Sequence, residues 1–154
     1  MWSNADMNML ATLLAVMALA DPVTIISGVH IGDSPESVQR IVPGQLIDIV
    51  GSNGLQMIHE NDRTVTFCNR RVVAAQVIIG RNLHDFTDSV QDETANMGDP
   101  WIVARHHRTA SGQISTINAA WEMPGGRIYS YKLIQTENGP IDVAKSLAME
   151  THGC

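Results

Sequence analysis

Six histidines are the side chains of this chain that could bind a metal ion or a haem iron. A haem iron needs an imidazole that faces an apolar pocket. His106 and His107 are neighbours in a segment with the alternation of a strand, so their side chains point to opposite faces and cannot bind one ion together. No spacing of cysteine and histidine is typical of a zinc site. The sequence therefore predicts no metal site.

Two pairs of carboxylates stand close in sequence, Asp85 with Asp88 and Asp92 with Glu93. Both pairs fall in a segment with helical periodicity, where such charges are typical of a solvated face. The chain has no glycine-rich phosphate loop, no Gly-x-Ser-x-Gly motif and no His-x-x-x-His motif. Ser111 lies in a turn with no base nearby in sequence. We therefore expect no enzymatic activity.

Length and charge limit the classes of protein to which the chain could belong. The chain has 154 residues, enough for one domain with a core, and its formal net charge is −6. Its basic clusters are Arg70-Arg71 and the run Arg105-His106-His107-Arg108, and each is typical of a solvated face. Nucleic-acid binding needs a clustered basic footprint, so we expect no nucleic-acid partner.

Two cysteines, Cys68 and Cys154, are too few for a disulfide framework. The sequence predicts two free thiols in a reducing compartment, and so a cytoplasmic protein.

Residues 9–20 form an apolar run with two interpretations. Ala18-Leu19-Ala20 fits a signal-peptide cleavage site, yet no basic residue precedes Arg40 and Asp6 lies upstream of the run. If residues 1–20 are a signal peptide, the protein is exported. Otherwise the run forms a helix that packs on the domain or on a second subunit. It is shorter than the about 20 apolar residues of a membrane span, and membrane contact by this segment stays open.

The elements that position these residues follow from capping and periodicity. Ser34 and Pro35 predict a helix start, and a second helix starts at Asn82 with Leu83, Phe86 and Val90 on one face. Asn69 is expected to cap a short helix over residues 72–77, and a last helix is expected to begin at residue 141. The expected strands are residues 55–60, 64–68, 101–109, 113–123 and 127–135. The predicted fold class is α+β, a five-stranded antiparallel sheet with short helices on one face.

Three segments resemble the motifs of PAS domains, a family of sensory modules. Residues 54–71 (GLQMIHENDRTVTFCNRR) resemble the first PAS hairpin, which ends in Asn at the start of a helix. Residues 79–83 (IGRNL) resemble a segment that recurs in the family, and residues 121–128 (WEMPGGRI) resemble its final hairpin. The resemblance covers residues 45–136. It leaves 1–44 as an N-terminal extension and 137–154 as a C-terminal tail or the start of a linker helix.

The resemblance implies a sensory or dimerisation module of a signalling system. Such a module binds a small ligand or a signalling partner, or forms a homodimer, and no kinase or cyclase motif supplies an output here. Family pockets lie between the inner face of the sheet and the helices. The pocket candidates are Met57, Phe67, Phe86, Val90, Ile117, Ala119 and Trp121.

The cofactor is unknown, although some PAS domains bind haem or flavin. The flavin-binding light-sensing subset carries a cysteine where this chain has Leu83, so covalent flavin photochemistry is not expected. His84 lies in the helical half, where some PAS domains place a haem ligand, and is a weak candidate for that role.

An alternative hypothesis is an exported protein-binding module of two α-then-β repeats. Residues 36–39 (ESVQ) and 88–91 (DSVQ) recur 52 positions apart, and Gly28 matches Gly80 in the same register. Such tandem units resemble the β-lactamase-inhibitor-like and outer-membrane-assembly lipoprotein folds, which act by protein contact.

Overall fold

The computed structural model describes residues 23–110, 112–150 and 154. Within them, two helices accompany a single antiparallel sheet of eight strands. The helices are α1 (Pro35–Val38) and α2 (Leu83–Met97). The strands are β1 (Leu46–Asp48), β2 (Leu55–Glu60), β3 (Arg63–Cys68), β4 (Arg71–Gly80), β5 (Trp101–Thr109), β6 (Gly112–Met123), β7 (Arg127–Thr136) and β8 (Ile141–Met149).

The order of strands across the sheet is β1-β2-β3-β4-β8-β7-β6-β5. Each half is a meander of four strands that follows one helix, and the last strands of the two halves, β4 and β8, pair in the middle. The short edge is β1, and the other edge is the nine-residue β5.

The predicted five-stranded sheet is wrong. Three further strands, β1, β4 and β8, complete a sheet of eight, and two of them replace predicted helices. Asn69 does not cap a helix: Asn69 and Arg70 have φ angles of 49° and 60° and form the two-residue turn of a hairpin whose last pair is Cys68 and Arg71. Left-handed backbone at both central positions is the geometry that joins twisted antiparallel strands most tightly.

The helix expected from residue 141 is strand β8. Its buried residues Val143 and Leu147 are four positions apart, a spacing that a helix face and one face of a strand share. The partners decide between them, because β8 lies between β4 and β7 and pairs with both. The helix prediction is wrong because the spacing within the segment does not reveal that it pairs with β4 and β7.

The two helix starts predicted from the sequence are confirmed. The side chain of Ser34 accepts a hydrogen bond from the backbone N–H of Ser37. The Asn82 side chain accepts one from the Asp85 N–H at 2.9 Å, and the Asp85 carboxylate accepts one from the Arg81 N–H at 2.9 Å. A side chain at Gly80 would collide with that carboxylate, so residues 80–85 make the tight junction from β4 into α2.

Both helices pack on the same face of the sheet, here called the covered face. Two apolar clusters lie there, one under residues 23–42 with α1 and one under α2. The first cluster contains Ile26, Val29, Val38, Val42, Ile58, Val65, Phe67, Val72 and Ala75. The second contains Phe86, Ala119, Trp121, Tyr129, Tyr131, Leu133, Val143 and Leu147.

Cys68 and Cys154 form a disulfide, so the prediction of two free thiols is wrong. Their Cα atoms lie 5.9 Å apart, and the bond closes a sequence separation of 86 residues. It ties residue 154 to the end of β3.

Among the helices that the structure describes, none has the length and apolar character of a membrane span. The apolar run at residues 9–20, and the proposed cleavage site within it, lie outside the described residues.

Candidate functional site: a cationic pocket on the open face

The second face of the sheet points away from both helices and is here called the open face. Strand alternation and register assign its residues: Val65 and Phe67 face the covered side, so Thr64, Thr66 and Cys68 face the open side. The same alternation in β5 places Trp101, Val103, Arg105 and His107 on the open face. The open face is therefore rich in polar side chains, in contrast to the apolar clusters opposite.

A cavity of about 230 Å³ opens on this face over strands β5 to β7. The lining residues come from alternate positions of three adjacent strands, and we call their site the cationic pocket. They are Trp101, Val103, Arg105, His107, Thr116, Asn118 and Lys132.

Strand register determines how these side chains meet. Asn118 of β6 pairs with Val103 on one side and with Lys132 on the other. Thr116, two residues along β6, pairs with Arg105. Since β5 and β7 lie on either side of β6 and the two residues are offset by two positions along it, Arg105 and Lys132 flank the middle strand about 12 Å apart at the backbone.

The charges of the pocket are not balanced. Burial, and then the nearby Arg105 guanidinium, lower the pKa of Lys132 from its ordinary value. Among the described residues, neither cation forms an ion pair with a carboxylate. Within the described residues, the half-buried Lys132 and the exposed Arg105 thus line one pocket without a carboxylate partner, an arrangement that favours an anion.

A polar atom at the centre of the pocket also lacks a partner. Oδ1 of Asn118 is buried and accepts no hydrogen bond among the described residues. Buried polar side-chain atoms in folded proteins are usually hydrogen-bonded, so an orphan of this kind is informative. Asn118 thus places an unsatisfied polar group beneath the pocket that its side chain lines.

Two carboxylates of the open face lie near the pocket without lining it. Asp142 is on β8 opposite Ile134, diagonal to Lys132, and its Oδ1 lies 3.5 Å from Nη1 of Arg81. Glu122 is exposed and lies four residues along β6 from Asn118, about 13 Å away. Neither carboxylate forms an ion pair with Arg105 or Lys132 among the described residues.

The seven pocket candidates named from the sequence do not line the cationic pocket. Phe67 is in the first apolar cluster, and Phe86, Ala119 and Trp121 are in the second. Val90 and Ile117 are partly buried against that second cluster. Met57 lies on the open face, where it pairs with Thr66. The structure therefore separates these residues into two clusters and the opposite face.

A second cavity, of about 140 Å³, lies on the covered face between the two halves. Its walls are largely apolar, with His30 and Arg127 as the titratable members. None of the seven sequence-derived candidates lines it, and nothing in its chemistry selects a ligand class.

Under α2, two tyrosines share one carboxylate. The Tyr129 and Tyr131 hydroxyls lie 2.8 Å and 3.2 Å from Oε2 of Glu93, and 2.9 Å from each other. Burial raises the pKa of both phenols, and for Tyr129 the hydrogen bond to Tyr131 adds to the rise. Both side chains are therefore neutral near pH 7 and tether the helix rather than act as bases.

The haem-ligand candidate His84 lies at the surface. Its Nε2 is 3.2 Å from the Asp88 carboxylate one turn along α2, and its side chain is 82% exposed. Within the described part of the chain, no group of three or more His, Cys, Asp or Glu residues is placed to hold a metal ion.

No protein-family model, curated protein or solved structure matches this chain significantly. The PAS resemblance therefore rests on its three sequence motifs.

Sequence reasoning missed the cationic pocket because it took residues 105–108 as one charged run. Alternation splits that run: Arg105 and His107 join Trp101 and Val103 on the open face, while His106 and Arg108 point the other way. The same alternation was visible in the sequence. The contribution of Lys132 was not, since it depends on the pairing of β6 with β7.

Proposed function

We propose that this chain is a protein-binding module that holds a partner protein on the open face, at the end formed by β5 to β7. The observation that carries the proposal is the contrast between the faces. Helices and residues 23–42 occupy the covered face, whereas the open face carries a large indole, two cations and an unpartnered amide around one cavity.

The dimensions of the open face suit a protein partner. Eight strands spaced about 4.8 Å apart span about 34 Å, and strands of nine to twelve residues reach about 30 Å or more. A stable protein interface covers about 800 Å² on each partner. The open face therefore has room for a whole interface, with the cationic pocket as a part of it.

Trp101 is the expected anchor of the interface. It lines the cavity, is 43% exposed and belongs to the edge strand β5. Tryptophan and arginine are the residue types most enriched among side chains that dominate binding energy, and here Trp101 and Arg105 are two positions apart on one face.

The fold and the disulfide favour the exported form of this function. One helix followed by four strands occurs twice, the order expected for a module of two α/β repeats that acts by protein contact. Disulfides persist in oxidising compartments, so the Cys68–Cys154 bond supports export over the cytoplasm. A sensory role, which the PAS-like motifs imply, remains a hypothesis without its expected five-stranded sheet.

Site-specific photocrosslinking in the native host tests the proposal. A benzophenone amino acid, which keeps a large aromatic side chain at the anchor position, replaces Trp101 in one variant and Ile102 in the matched control. Ile102 is the next residue on the same strand, is 56% exposed and points to the opposite face. We expect a discrete crosslinked protein from position 101 and a much weaker product from position 102.

The other results overturn the proposal. Equal crosslinking from both positions would show that the open face is not selected. No crosslink from either would show that no partner occupies it. A crosslink from position 101 to a second copy of this chain would replace the partner protein with a homodimer.

A further inference from the structure

We propose that the cationic pocket is a carboxylate-binding site, and that the proposed partner protein fills it with the side chain of a surface Asp or Glu. This inference rests on the proposed function and names the chemistry of the contact. The site consists of Arg105 and Lys132 on the two sides of β6, with Thr116 and Asn118 between them.

Among the described residues, Lys132 and Arg105 have no carboxylate partner. Lys132 is half-buried, Arg105 is its charged neighbour, and the ion pairs of the described residues join other side chains. A partly buried ammonium beside a guanidinium is unfavourable unless an anion joins them. A carboxylate between the two would remove the repulsion and form charge-assisted hydrogen bonds with both.

The hydrogen-bonding groups of the floor match the same ligand. The Thr116 hydroxyl can donate to a carboxylate oxygen, and the Nδ2 group of Asn118 supplies further N–H donors. Arg105 presents a planar fork that binds both oxygens of a carboxylate. Donors thus surround the cavity on three adjacent strands.

The shape of the site favours a carboxylate that belongs to a protein. The cavity of about 230 Å³ opens on a broad face and has Trp101 and Val103 beside the cations. A side-chain carboxylate can enter the pocket while the surrounding polypeptide packs on the indole. A free small anion gains only the charge contacts and has to compete with water for them.

The charge of the rest of the molecule adds selectivity. The chain carries a formal net charge of −6, so an acidic partner is repelled in general and attracted at this one end of the open face. Such a pattern orients the partner, because only one arrangement places its acidic residue against the cations.

The test compares two matched charge deletions on β5. Arg105→Gln removes a cation from the pocket, and Arg108→Gln removes the same charge from the opposite face of the same strand. A third variant combines Arg105→Gln with Lys132→Gln. Thermal unfolding of each variant first confirms that the sheet is intact.

Two readouts separate this inference from the proposed function. The first is the yield of the Trp101-position photocrosslink in the native host. The second is a titration of the purified protein with a capped hexapeptide of glutamate, followed through the NMR signals of the Trp101 indole N–H and the Asn118 side-chain amide. A capped glutamine hexapeptide and sodium acetate serve as the comparison probes.

We expect the glutamate peptide to shift both signals. Arg105→Gln should weaken its affinity about tenfold, the size of one charge-assisted hydrogen bond, and Arg108→Gln by less than about twofold. The crosslink yield should fall in the same order. The double variant should lose both responses.

Each contrary outcome contradicts a different part of the two proposals. A crosslink that persists unchanged in the double variant overturns the carboxylate site and leaves the protein-binding function standing. Equal losses in Arg105→Gln and Arg108→Gln overturn the site in favour of general electrostatics. Acetate that binds as tightly as the peptide assigns the pocket to a free anion and overturns the protein source. Absence of any crosslink overturns the proposed function, and absence of peptide binding overturns the carboxylate site.

Discussion

The two faces of the sheet use the same strands for opposite purposes. On the covered face, alternate residues are aliphatic or aromatic and are buried under α2 and residues 23–42. On the open face, about half of the neighbouring residues of those strands are polar or charged, beside apolar residues such as Trp101, Val103 and Ile134. The covered face therefore holds the fold together, and the open face is the one that the proposed function assigns to a partner.

The contrast is sharpest at the two described tryptophans. Trp121 is 4% exposed, lies under α2 and donates its indole N–H to the Gly98 carbonyl oxygen at 2.7 Å. Trp101 is 43% exposed on the open face and lines the cationic pocket. The same residue type is thus part of the buried core at one site and lines an open cavity at the other.

Replacement of each tryptophan by alanine should separate the two roles most strongly. Trp121→Ala removes a buried ring and leaves a cavity, so we expect a loss of about 3–5 kcal/mol in the free energy of unfolding. Trp101→Ala should cost less, about 1–2 kcal/mol, because its side chain is 43% exposed and loses less buried area. Urea denaturation followed by far-UV circular dichroism measures both.

Equal losses would break the comparison between the faces. In particular, a loss above about 3 kcal/mol for Trp101→Ala would show that the open face belongs to the core. The binding proposal would then lose its anchor.

The open face also contains a residue that stabilises the fold through the disulfide. Cys68 lies there, at the end of β3, and is bonded to Cys154. A closed loop of 86 residues restricts the unfolded chain, so Cys154→Ser should lower the free energy of unfolding by about 2–4 kcal/mol. A reducing agent should destabilise the native protein to the level of this variant.

The control for the bond is the variant itself. If the loss comes from the crosslink, a reducing agent has no further effect on Cys154→Ser. A native protein whose urea midpoint is the same with and without the reducing agent would rule out a stabilising disulfide.

The sequence correctly predicts the elements whose hydrophobic periodicity and boundary residues indicate the same structure. Asn82 and the spacing of Leu83, Phe86 and Val90 predict helix α2, and long alternation between clear turns predicts strands β5, β6 and β7. These segments carry their own signals, because the residues that decide the structure are a few positions apart.

The failures lie where the deciding partners are distant in sequence. β4 and β8 pair with each other across about 70 residues, and the buried positions of β8 also fit a helix. The cationic pocket also depends on residues that are distant in sequence, since only the pairing of β5, β6 and β7 brings Lys132 near Arg105. For β4 a local signal existed: two residues in left-handed backbone make a hairpin, and Asn69 is a residue type that tolerates this conformation.

The smallest expected effect concerns the tyrosines under α2, which make the free energy of unfolding depend on pH. Burial raises the pKa of Tyr129 and Tyr131 above the ordinary value of 10.0. The folded protein therefore keeps its phenol protons at a pH where the unfolded chain has released them. The stabilisation is complete below about pH 10 and is lost as the pH rises, by up to about 1.4 kcal/mol per pH unit for each tyrosine.

The chain contains two tyrosines, so the phenolate absorbance of the native protein reports on this pair alone. In the folded protein the absorbance should rise at a higher pH than in the urea-unfolded chain. Tyr129→Phe should reduce the alkaline loss of stability, since it removes one of the two raised groups. Titration of both phenols near pH 10 in the folded state would contradict their burial, and with it the sealed character of the covered face on which the contrast with the open face depends.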